Sequence, residues 1–246
     1  MNGIFRWIII IQFGEREVWD KHMLIWNKRI FIMDTLIILC VSYGTWLMLT
    51  RGGDGSGLLS SGLSNLKYYT VLSNLFCGLV ALAELVAYLN RKLDFEFRFL
   101  KFMAATVTGL TAVIIAVFLQ PAYPDLNMYQ NANLWFHLII PVLAVVECIF
   151  TADGASMLPF RQTLLTMIPS AVYGLLYMFN ILIRGVGTWP NSNDWYGFLN
   201  WGWSIGIMIF IAIIIITWLV SVVLWLLNKL WRFGVYYHLN KKKGLQ

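Results

Sequence analysis

Six nearly continuous apolar runs, at roughly 29–50, 67–90, 99–120, 132–151, 162–184 and 199–228, decide what this chain can become. Crossing the hydrocarbon core of a bilayer as a helix takes about 20 such residues. Lipid offers backbone N–H and C=O groups no partner, so only helices and closed barrels can span it. These runs are too long for barrel strands of about 9–11 residues. The expectation is an all-α, polytopic membrane protein whose six transmembrane helices occupy residues 29–228. Charged residues make up only 12% of the chain, about half of what a water-soluble domain carries. No stretch remains for a separate soluble domain.

Two flanks remain. Residues 1–28 hold a short apolar stretch, Trp7 to Phe13, followed by Glu15, Arg16 and Glu17. That pattern suits an interfacial or disordered segment, where apolar and charged groups are both satisfied. It lacks the small-residue cleavage site of a signal peptide. Residues 229–246 form a basic tail ending in Lys241, Lys242 and Lys243.

Lysine and arginine orient membrane helices by collecting on the cytoplasmic side. Of 18 such residues, only Arg51, Lys67 and Arg184 fall on one side; the other fifteen fall opposite, with Arg91, Lys92, Arg98 and Lys101 assigned to the second connection. Both termini are therefore expected in the cytoplasm, and the protein in the cell membrane. The net charge of +6 is distributed as these flanking signals, so nucleic acid is not an expected partner. Membrane lipids are. Cys40, Cys77 and Cys148 lie within spans without metal-ligand spacing, so neither a disulfide, a metal nor a cofactor is expected.

The connections on the lysine-poor side are unusual. Residues 51–66 are rich in glycine and serine, 120–133 carry two prolines and several amides, and 185–198 combine glycines with Trp189, Asp194, Trp195 and Tyr196. Such composition suits folded caps better than simple turns.

His137 is an ionisable residue inside an apolar run, where such a group is costly and commonly functional. Thr70 starts the second run at a depth within a few ångströms of His137, at about 1.5 Å per residue. Pro141 lacks the N–H that would bond the His137 carbonyl, so a bend is expected there. Thr70, Ser73, Asn74 and Cys77 share one helical face, being three and four residues apart. Histidine is the usual base for a weak hydroxyl nucleophile. Asn74 is a candidate to donate to an oxyanion or to orient the base, and Ser73 lies beside it. Asp125 and Asp194 are candidates to orient the base. Asp34, Glu84 and Glu147 read as inner-edge charges, the two glutamates reaching the headgroups or pairing with Arg91 and Arg161, or one of them belonging to a proton path.

Three stretches resemble the androgen-induced protein family of multi-pass membrane proteins. They are Lys67 to Asn74, Trp135 to Glu147 through His137 and Pro141, and Gly187 to Trp189 with Trp195 to Leu199. The resemblance implies a hydrolase of carboxylic esters that uses a threonine nucleophile and a histidine, which fall on Thr70 and His137. Its implied substrates are fatty acid esters of hydroxy fatty acids. Trp189 and Tyr196 lie in the last cap, where they become candidates for substrate contact. Gly197 stands where the family motif carries proline, and Pro190 to Asp194 lengthen that cap, which bears on selectivity. The alternatives are a small proton-coupled transporter or channel, with Glu84 and Glu147 as its ionisable groups, and a lipid-binding protein without catalysis.

Overall fold

The computed structural model describes residues 28–29, 31–51, 62–90, 95–122, 124, 127–150, 158–188 and 192–243. The leader at 1–27 and most of the glycine-rich connection lie outside them. Among the described residues the chain is all-α, with no strand. Six helices are long and apolar enough to cross a membrane. They are α1 (Phe31–Thr50), α2 (Tyr69–Leu89), α3 (Phe95–Ile114, continued by a wider turn at Ile115–Leu119), α4 (Asn131–Phe150), α5 (Arg161–Arg184) and α6 (Trp203–Lys243). This is a multi-pass membrane architecture, and the expected spans agree with it to within a few residues. One boundary differs: α6 runs on through the basic tail to Lys243.

Helix α3 is the centre of the bundle and packs against α2, α4 and α6. Residues 104–111 are buried on every side. This stretch is mostly small, with Ala104, Ala105 and Gly109, and that lets neighbouring backbones come close. Its threonines turn their hydroxyls back onto their own helix: Thr106 Oγ1 bonds the Phe102 carbonyl and Thr108 Oγ1 the Ala104 carbonyl, both at 2.8 Å. A polar side chain satisfied in this way can sit in an apolar interior. The core around α3 is built from Ile37 and Val41 of α1, Val71 and Ala81 of α2, Phe102 of α3, and Phe136, Ile140 and Ala144 of α4. By contrast, Leu175, Leu176, Leu182 and Met208 are each more than 60% exposed. In a membrane-spanning helix that surface faces lipid.

Prolines set the irregularities. Pro141 follows a π turn at Trp135–Ile139, in which the Ile140 N–H reaches the Trp135 carbonyl five residues back. Pro121 follows a second π turn at Ile115–Leu119, with the Gln120 N–H on Ile115. Both prolines stand two residues past their π turn. Proline cannot donate to the carbonyl four residues earlier, and the preceding N–H shifts its bond by one residue. Pro169 has a similar effect in α5, which breaks at Thr166 and Met167. Gly185 ends α5 with φ 72°, the left-handed conformation that glycine adopts at little cost.

Side-chain hydrogen bonds join the helices where apolar burial cannot, since lipid is as apolar as leucine. Ser221 Oγ donates to the Thr163 carbonyl, and Trp218 Nε1 to Thr163 Oγ1, tying α6 to α5. Asn228 Nδ2 reaches the Cys148 carbonyl at 2.7 Å, tying α6 to α4. The α5–α6 seam also depends on Gly174: a Cβ there would lie 1.5 Å from Phe210 Cε2. Overpacking of this kind costs about 1–3 kcal/mol. Gly174→Ala is therefore expected to lower the melting temperature in detergent, and Phe210→Leu in the same chain to recover part of the loss.

Candidate functional site

Polar residues occupy two separate levels of the α1–α4 bundle. The first is at the end where α2 begins. A 3₁₀ turn, Gly62–Lys67, leads into α2, and the Tyr196 hydroxyl accepts the Tyr69 N–H at 2.8 Å. One of the orphan donors that every helix start leaves is satisfied in this way. Thr70 comes next, partly exposed. Its carbonyl accepts two bonds, from Ser73 Oγ at 3.0 Å and from Asn74 Nδ2 at 2.7 Å.

Asn74 is fully buried, and its second Nδ2 hydrogen goes to the Phe136 carbonyl at 2.9 Å. One side chain thus ties the Thr70 turn of α2 to the residue preceding His137 on α4. The expectation that Asn74 donates to an oxyanion does not fit this geometry. Both of its N–H groups are engaged by carbonyls, and what remains is an enclosed acceptor, Oδ1. Ser73 is likewise engaged, with its hydroxyl 3.1 Å from Thr111 Oγ1 of α3.

His137 is buried, and its Nδ1 lies 2.6 Å from the Met128 carbonyl. A carbonyl only accepts, so Nδ1 carries the proton. In the neutral ring Nε2 then bears the lone pair. The segment before α4 folds back to supply that carbonyl, and the π turn places the ring against it. Among the described residues no hydrogen bond joins Thr70 to His137. The two share a level of the bundle through Asn74.

The last connection folds over this end as an aromatic cap. Asp194 holds it closed: its carboxylate accepts the Phe198 and Leu199 N–H groups at 2.9 and 2.8 Å, and the Tyr177 hydroxyl as well. Asp194 therefore organises the loop, and His137 is not among its partners. Trp195 Nε1 donates to the Tyr173 hydroxyl, which donates to the Lys67 carbonyl at 2.6 Å. The Lys67 ammonium lies over the rings of Tyr68 and Trp195. Burial against those rings pulls the Lys67 pKa below the usual lysine value, and burial pushes the Tyr196 hydroxyl well above its own. Asp125 and Trp189 lie outside the described residues.

The second level lies toward the other end of the same helices. Lys101 Nζ of α3 contacts Asp34 Oδ1 of α1, Glu84 Oε2 of α2 at 3.1 Å and Glu147 Oε2 of α4 at 2.5 Å. All four side chains are more than nine-tenths buried. The three acids do stand near helix ends, as expected, but they turn inward onto Lys101 and do not pair as expected with arginines. Glu147 pairs with Lys101, while Arg161 is exposed to solvent or headgroup; Arg91 lies outside the described residues. Lys101 itself is the residue that sequence reasoning missed, because it was assigned to the connection before α3. The available signal was an acid in each of three spans at matching depth, with one base at that depth in the fourth.

Truncating one member of a buried ionic set leaves the others uncompensated, at about 3–5 kcal/mol, whereas an all-neutral replacement is often tolerated. Lys101→Met should therefore unfold far more readily than the parent in detergent. Lys101→Met combined with Asp34→Asn, Glu84→Gln and Glu147→Gln should regain most of that stability.

No protein-family model, curated protein or solved structure matches this chain, so its function rests on the residues themselves.

Proposed function

We propose that the chain is an integral-membrane hydrolase of lipid esters, with Thr70 as nucleophile and His137 as base. The observation that carries this reading is the bond from His137 Nδ1 to the Met128 carbonyl, at 2.6 Å. It leaves Nε2 as the basic nitrogen of a neutral ring. A base oriented through its other nitrogen is the arrangement that hydroxyl nucleophiles need. Asn74 supports it by fixing the Thr70 turn against Phe136.

In the reaction, Nε2 takes the Thr70 Oγ1 proton as the oxygen attacks the ester carbonyl. The tetrahedral species collapses, His137 returns the proton to the leaving alcohol, and a threonyl ester remains. Water, deprotonated by Nε2, then releases the acid and restores Thr70. Catalytic hydrogen bonds commonly tighten only once substrate is bound, and the reaction requires Thr70 Oγ1 to come within hydrogen-bond reach of His137 Nε2. The lipid-facing apolar surface would hold the acyl chains. The aromatic cap with Tyr196 covers the start of α2 beside Thr70, and the family resemblance points to fatty acid esters of hydroxy fatty acids as the substrate class in the cell membrane.

A fluorophosphonate probe tests the nucleophile. The parent should be labelled at Thr70, and Thr70→Ala should lose both label and ester turnover. His137→Ala should reduce turnover by about 10²–10⁴-fold, the usual worth of a general base. Undiminished turnover in either folded variant would refute the mechanism.

A further inference from the structure

Threonines in this bundle hand their hydroxyls to their own helix. Thr35, Thr106, Thr108 and Thr217 each donate from Oγ1 to the carbonyl four residues earlier, at 2.7–2.8 Å. Such back-bonding is a common state of threonine in a helix, and it commits the hydroxyl proton. Thr70 is different: its hydroxyl bonds none of the described residues. The carbonyl it would use is that of Leu66, in the 3₁₀ turn that precedes α2. One residue, Tyr68, separates the turn from the helix, and its φ of −83° and ψ of 133° are extended. Were Tyr68 helical, the turn would run into α2 and set the Leu66 carbonyl one turn below Thr70 Oγ1.

The local sequence does not account for this stop. Helices start best at Ser, Thr, Asp or Asn, and Tyr68 gives α2 no capping bond from its side chain. In a continued helix the Tyr69 N–H would bond the Asn65 carbonyl, and the Lys67 carbonyl would accept the Val71 N–H. Two phenols occupy those groups instead. Tyr196 Oη, from the cap, accepts the Tyr69 N–H at 2.8 Å, and Tyr173 Oη, from α5, donates to the Lys67 carbonyl at 2.6 Å. The Val71 N–H turns to the Tyr68 carbonyl, at 3.1 Å, and the Asn65 carbonyl takes the Tyr68 N–H, at 3.0 Å. Ring contacts hold both phenols in place: Tyr196 meets Tyr68 edge-on with centroids 6.0 Å apart, and Tyr173 meets Tyr69 at 5.1 Å.

We propose that Tyr173 and Tyr196 are positioning residues: they stop α2 at Tyr69 and so keep the Thr70 hydroxyl uncommitted and ready to be deprotonated. They act through the backbone on either side of Tyr68. Asp194 takes part indirectly, because it holds the cap from which Tyr196 reaches α2. The worth of this arrangement for turnover rests on the hydrolase reading; the position of the helix start does not.

The full chain in lipid bilayers, carrying Tyr173→Phe, Tyr196→Phe or both, tests it. Lys67-Tyr68 is the only Lys-Tyr pair in the sequence, so pairwise ¹³C and ¹⁵N labelling reads Tyr68 alone by solid-state NMR. Its ¹³Cα shift should be that of an extended residue in the parent and of a helical one in the double variant. For each phenol removed, kcat for ester turnover should fall about tenfold, the worth of one hydrogen bond, with KM held. Fluorophosphonate labelling of Thr70 should slow in step. Should the double variant not fold, the single ones carry the test, since each opens one of the two bonds. An extended Tyr68 in every folded variant would overturn the proposal, and so would a helical Tyr68 with undiminished labelling. A parent that neither labels nor turns over ester removes the hydrolase reading, and the Tyr68 shift still decides what fixes the start of α2.

Discussion

A single ammonium, that of Lys101, meets carboxyl groups from three other helices, and the packing of α1–α4 depends on it. Between apolar helices in lipid there is little hydrophobic force to choose one neighbour over another. A buried charge changes that, because every arrangement that separates it from its partners is heavily penalised. Ile37, Val41, Ala81, Phe102 and Ala144 then pack in the one register that keeps the four charged tips together. The ionic set selects the arrangement, and the apolar contacts fill it.

The same helices carry a second polar level near the start of α2, and an apolar layer separates the two. Fourteen residues part Thr70 from Glu84 on α2, a rise of about 21 Å. The layer between contains Val71, Val80, Ala81 and Ile140. Any chemistry at His137 is thereby insulated from the charge at Lys101. The two levels also differ in kind. At the first, hydrogen bonds to carbonyls fix side chains and leave one imidazole nitrogen basic; at the second, one ammonium meets three carboxyl groups.

Much of this architecture was legible in the residues. The six spans followed from length and apolarity, because a bilayer imposes both. The irregular α4 followed from Pro141, since a missing N–H has only a few structural remedies, although the remedy taken was a π turn and not a simple bend. The folded last cap followed from its glycines and aromatics. What stayed hidden was pairing. Asp34, Glu84, Lys101 and Glu147 each look like a charge near a helix end when read alone, and only the lateral order of helices shows that they meet. Asn74 was legible as polar, but whether it donates or accepts depends on carbonyls from another helix that no local pattern names. Asp194 similarly found its partners in Tyr177 and in backbone a few residues onward.

Synthesis runs from α1 to α6, and the order of the charged residues follows it. Two acids, Asp34 and Glu84, precede the base along the chain, and Glu147 follows it. When the third span leaves the ribosome, Lys101 enters a bilayer where counter-ions are already waiting. Insertion of the hydrophobic segment around it is thus assisted by what was laid down before. The last acid then arrives at an ammonium that is already anchored, and so closes the bundle without having opened it.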